Sequence, residues 1–109
     1  ESGGVSGSQA SPVYSEILGV PTVARQLTAG AASANTALTA ACRRVSIRAR
    51  NADVRFSLGV GAQTAVATTS HYLAQDERLD FAVPAGAHIA VVRDSLATSD
   101  GIVCVTELA

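Results

Sequence analysis

An all-β fold is what this sequence predicts, and three observations carry that prediction. Short apolar runs alternate with polar residues at a period of two, turn residues recur every 8–12 positions, and no stretch shows convincing helical periodicity. The length of 109 residues fits one domain. Hydrophobic residues make up 48% and charged residues 16%, which is enough apolar material for a core. With no Trp, no Met, two Phe and two Tyr, that core must be filled by Val, Ile, Leu and Ala. A domain of this size buries roughly two-thirds of its extended-chain surface and is modestly stable alone. Low charge and positive mean hydropathy point to a surface partly covered by a partner, because soluble monomers rarely expose large apolar patches.

Residues 1–11, ESGGVSGSQAS, are Gly/Ser-rich with almost nothing to bury and read as a flexible arm, either a simple tail or a segment that orders on a neighbour. The domain proper is expected over residues 12–109. Its first stretch, PVYSEILGVP, is bracketed by two prolines and is expected to be an extended segment or a single turn laid against the body. GAASAN (30–35) is a loop. In TALTAAC (36–42) helix and strand compete, and the β-branched threonines favour strand.

RRVSIRARNADVRFSLG (43–59) holds five of the eight arginines in a chain without lysine. Val45, Ile47 and Ala49 point one way, and Arg44, Ser46, Arg48 and Arg50 the other. After a polar Asn51-Ala52-Asp53 turn, Val54, Phe56 and Leu58 resume inward with Arg55 and Ser57 outward. A β-hairpin is expected here, with Arg44, Arg48, Arg50 and Arg55 on one wet face. GVGAQTAVATTS (59–70) is a loop with room for a short edge strand. Leu79, Phe81 and Val83 mark another strand, Pro84-Ala85-Gly86 a turn, and Ile89 to Val92 a compact apolar strand. GIVCVTEL (101–108) closes the chain, apolar enough to sit centrally. Six to eight short strands make a β-sandwich or small barrel, with the jelly roll a natural option.

The chemistry is sparse. Ser70 and His71 are neighbours on an extended chain and point to opposite faces, so they do not form a catalytic pair. Asp76, Glu77 and Asp80, interleaved with Arg78, read as a solvated, salt-bridged turn rather than an acid–base pair. GVGAQ (59–63) opens no helix and makes no phosphate loop. Cys42, Cys104, His71 and His88 are too scattered for a zinc site, and the cysteines read as small buried apolar groups, with a single disulfide as the alternative. No catalytic residue, no cofactor and no metal is expected. Eight Arg against nine acidic residues leave no net basic footprint for nucleic acid. No apolar run reaches the roughly 20 residues of a membrane-spanning helix. The absence of Met leads us to expect a trimmed or processed N-terminus.

The arginine cluster has two readings. In one, the side chains lie on a solvated sheet face and pair across strands. In the other, favoured by Arg without Lys, the face docks on an acidic partner, because the planar guanidinium pairs bidentately with carboxylate and tolerates interface burial. A compositional bias of the genome would give the same residues.

From ARQLTAGAASANTALTAACRRVSIRARNADVRFSLG through TSHYLAQDERLDFAVPAGAHIAVVRD to GIVCVTEL, the chain resembles small virion proteins of tailed bacteriophages over about residues 23–108. The resemblance implies a jelly-roll-like capsid cement or decoration protein, assembled in the host bacterial cytoplasm and bound over the major capsid protein. A neck or tail component is the alternative within that group. It implies no enzyme activity. Multivalent attachment and self-association are expected with it, a dimer first, with strand 101–108 as a candidate for sheet continuation. A carbohydrate- or receptor-binding sandwich is the alternative from another class, disfavoured by the lack of Trp.

Overall fold

Alternation at period two gives the chain many half-buried strands, and these can hide their apolar faces only by stacking two sheets. The computed structural model describes residues 20–108, and the expected arm over 1–11 and most of the segment 12–21 lie outside them. The strands are β1 (Pro21–Ala29), β2 (Ala34–Ala37), β3 (Arg44–Arg50), β4 (Val54–Val60), β5 (His71–Leu73), β6 (Arg78–Ala82), β7 (Ala87–Arg93) and β8 (Gly101–Leu108). They form two four-stranded antiparallel sheets, ordered β1-β8-β3-β6 and β2-β7-β4-β5.

The order has a simple origin. β1 pairs with β8, β2 with β7, β3 with β6 and β4 with β5, so the first half of the chain pairs with the second half in reverse. This long ribbon is wrapped until β3 also meets β8 and β4 also meets β7. That connectivity is the jelly roll. The all-β sandwich expected from the sequence is thus the fold.

The wrapping overturns the expected hairpin. β3 and β4 lie in different sheets and face each other across the core. Val45, Ile47 and Ala49 enter from one side, Val54 and Phe56 from the other, and all are buried. Period-two alternation says which way a side chain points but not whether the next strand pairs beside it or packs opposite it. The link 51–53 turns the corner with Asn51 at φ 73°, a left-handed conformation that Asn tolerates. Asp53 holds the corner from both sides: its carboxylate accepts from Gln75 N at 2.7 Å and its carbonyl from Asp94 N at 3.0 Å. At the start of β8, a Cβ on Gly101 would stand 2.8 Å from Val54 Cγ1, so this crossing of the sheets requires glycine.

Two further differences matter. The strand expected over 36–42 ends at Ala37, after which residues 38–43 cross to the other sheet. The last strand is central, flanked by β1 and β3, so it has no edge to offer a second chain. The edges are β1, β6, β2 and β5.

Candidate functional site

The outer faces of the two sheets differ. On the β2-β7-β4-β5 sheet, residues 61–70 fold back over Ala90 and Val92, and Ala65 is buried against them. Side chains pin this cover. Ala65 N donates to Ser33 Oγ at 2.9 Å, Gln63 N to Asn35 Oδ1 at 3.0 Å, and the Ser57 hydroxyl to Gln63 Oε1 at 2.9 Å. The loop expected at 59–70 therefore has a packing role, closing one face with the chain itself.

Among the described residues, no comparable loop covers the β1-β8-β3-β6 sheet. The register places Gln26, Cys104, Arg48 and Arg78 in one row across it, with Thr28, Ile102 and Arg50 in the next. Ser46 and Asp80 lie in the row on the other side, and Arg44 and Ala82 beyond them. The face thus joins a half-buried strip of Ile102, Cys104 and Thr106 to a basic region carrying Arg44, Arg48, Arg50 and Arg78. Arg48 and Arg78 stand directly opposite each other, a like-charge pair that costs stability unless carboxylates intervene. They do: Asp76 lies 3.7 Å from Arg48 and Asp80 3.6 Å from Arg78, while Arg78 Nε donates to the Ser46 hydroxyl at 2.7 Å. The salt-bridged turn read from the sequence is present. These contacts are long and exposed, hence weak, and Arg50 has no ion pair among the described residues. Among the described residues, Arg48, Arg50 and Arg78 meet only the two carboxylates of Asp76 and Asp80 here, which leaves this part of the face basic.

The four arginines named from the sequence do not share a face. Arg44, Arg48 and Arg50 do, whereas Arg55 sits on the opposite sheet because β4 does. Arg55 is committed within the chain: Nε donates to Asp94 Oδ1 at 2.7 Å, Nη1 to the Ser70 carbonyl at 3.0 Å, and the guanidinium lies 5.0 Å from the Tyr72 ring centre. The Arg55 hydrogen bond, with a further one from Leu96 N, holds the Asp94 carboxyl below the usual aspartate range. The Tyr72 hydroxyl and Gln75 N do the same for Asp53, and that bond in turn raises the Tyr72 phenol. Arg78 takes the place of Arg55 on the basic face. The sequence hides this, since only the pairing of β3 with β6 brings Arg78 beside Arg48.

One carboxylate is buried at the sandwich end. Glu107 has the inward parity of Val103 and Val105 and is 2% exposed. Burial alone would raise its pKa, but hydrogen bonds from Thr39 and Arg25 outweigh that and lower it. Arg25 Nε lies 2.9 Å from Oε2 and Thr39 N 3.1 Å from the same atom, so Glu107 ties β1 to the segment that crosses from β2 to β3.

Cys42 and Cys104 are free thiols, the first buried and the second half-buried on the open face. Among the described residues no three His, Cys, Asp or Glu side chains form a metal-binding group. No protein-family model, no curated protein and no solved structure matches the chain.

Proposed function

We propose that the protein is a structural component of a tailed-bacteriophage virion, a cement or decoration protein whose open sheet face docks on an acidic surface of the capsid lattice. The observation that carries this reading is the asymmetry of the two faces. Among the described residues, the chain covers one of them itself and leaves the other open, basic and mildly apolar. Such a face repels a copy of itself and selects an acidic partner, and Arg rather than Lys suits burial there. A jelly roll with little chemistry of its own is a common building unit of viral shells. The resemblance to small virion proteins points the same way.

Docking rests on Arg48, Arg50 and Arg78, with Arg44 at the margin. Arg55 is left out of it, held by Asp94 on the far sheet. Each contact is modest, and attachment gains strength from many copies on a repeating lattice. Self-association runs through an edge strand, and β1, with nine residues, is the longest available.

The test is loading of Arg48→Ala/Arg50→Ala protein onto particles stripped of the wild type, at 50 to 500 mM salt. The expected result is at least a tenfold loss for the variant, with weaker salt dependence than wild type. Normal loading across that range would exclude the face as the docking surface.

A further inference from the structure

β6 is an edge of its sheet, and its hydrogen bonds to β3 show which of its backbone groups turn outward. The Glu77 carbonyl accepts from Ala49 N at 3.2 Å, and Val83 N donates to the Arg43 carbonyl at 2.8 Å. Odd-numbered residues thus aim their N–H and C=O groups at β3, while Arg78, Asp80 and Ala82 aim theirs at the free edge. Among the described residues, nothing bonds to these outward backbone groups of Arg78 and Asp80. β6 is also the one edge strand of the described sheets that carries both an acid and a base. β1 has only Arg25, and β2 and β5 have no Arg, Asp or Glu. Side chains alternate as well: Arg78 and Asp80 are exposed, whereas Leu79 and Phe81 turn inward and are only half-buried. With Phe56, Tyr72 and Pro84 these two line a depression of about 400 Å³ at the seam between the β5 and β6 edges.

We infer that the β6 edge binds the β6 edge of a second copy, antiparallel about a twofold axis at Leu79, with Arg78 of each chain facing Asp80 of the other. This rests on the self-association proposed above and names the edge that performs it. Charge and hydrogen bonding select the register. A twofold axis gives facing residues a constant sum of numbers, and only outward residues can exchange backbone bonds. An axis at Arg78 or at Asp80 sets like charges directly opposite each other. An axis at Phe81 or beyond forms no ion pair and brings Pro84, which has no N–H, into the ladder. An axis at Glu77 calls on Asp76, whose N–H is already spent on the Ala49 carbonyl at 2.8 Å. The axis at Leu79 gives two Arg78–Asp80 pairs, four backbone hydrogen bonds, and contact between the two Leu79 side chains beside the open seam. Within one chain Arg78 and Asp80 lie 3.6 Å apart and exposed, so changing partners costs little. The pairing makes one continuous sheet with both open faces on the same side. Arg48 and Arg50 of both copies then meet the same acidic surface, which strengthens attachment by bivalency.

The test is sedimentation equilibrium of the full chain without particles, so that its result and the particle-loading result stand apart. The contact is short, and a wild-type dimer is expected at about 100 µM chain. Arg78→Asp gives the edge two acids and Asp80→Arg gives it two bases, and each change alone should weaken the dimer at least tenfold. Both positions are exposed, so neither change disturbs the core. Mixing the two variants should restore a dimer containing one chain of each, within about threefold of the wild-type affinity, because facing positions 78 and 80 again carry opposite charges. As a second readout, Leu79→Cys in a Cys104→Ser background should form a disulfide between two chains at least ten times faster than Ala82→Cys. In this register the Ala82→Cys thiols stand about 20 Å apart. A wild type that stays monomeric up to about 1 mM would overturn the inference. So would a dimer indifferent to both charge changes, which would move self-association to another edge such as β1. Mixed variants that fail to pair, or equal disulfide rates at the two positions, would overturn it as well.

Discussion

Removing Arg25 should expose how the sandwich end is held. Glu107 is 2% exposed, and Arg25, at 31%, is its only cationic partner among the described residues. Arg25→Ala leaves a buried carboxylate with the Thr39 contacts alone. Breaking a fully buried pair in this way costs about 3–5 kcal/mol. Arg25 is partly solvated, so about 2–3 kcal/mol is the reasonable figure here. For a domain of this size that is a fall in Tm of about 10–20 °C. The effect carries a pH signature. In the wild type Glu107 titrates below its unfolded value, so the pair contributes fully above about pH 4.5 and is lost as pH falls through the folded pKa. In the variant, burial without Arg25 disfavours the charge, and protonation relieves it. The gap between variant and wild type should therefore narrow on going from pH 7 to pH 3.5. Urea unfolding followed by far-UV circular dichroism at both pH values measures this. A loss below about 1 kcal/mol at pH 7, or a gap that stays constant with pH, would refute the role given to Glu107.

Other outcomes follow from the same geometry. Gly101→Ala places a methyl 2.8 Å from Val54 Cγ1 and should cost about 1–3 kcal/mol in urea unfolding, the range for an overpacked core. Ile47→Ala empties a fully buried position between the sheets and should cost about 2–5 kcal/mol by the same assay. In the free protein Cys104 should react with a thiol reagent well before Cys42, and docking through the open face should slow the Cys104 reaction at least tenfold, read by mass spectrometry of the alkylated chain.

Much of this fold is legible in the sequence, because alternation is a local signal. Val45-Ile47-Ala49, Val54-Phe56 and the apolar β7 and β8 announce their faces, and the Pro84-Ala85-Gly86 turn lies where it is expected, with Gly86 at φ 73°. β1 is silent for a physical reason. It is an edge strand exposed along most of its length, so little of its pattern is enforced by burial. What sequence cannot encode locally is which strands become neighbours. NAD at 51–53 looks like a hairpin turn and acts as a corner between sheets, and on that choice depends whether Arg55 joins Arg48 or faces away from it. The basic face was half readable for this reason. Arg44, Arg48 and Arg50 follow from parity, whereas Arg78 arrives only through a partner thirty residues further along the chain, at the Arg48–Arg78 register.

The central claim is that this protein covers a phage shell. Its copy number in purified particles, measured by quantitative mass spectrometry against the major capsid protein, tests that most directly. The account predicts hundreds of copies in fixed ratio to the shell; six to a few dozen would place it in a neck or tail ring instead, and absence from the particles would contradict the virion assignment altogether.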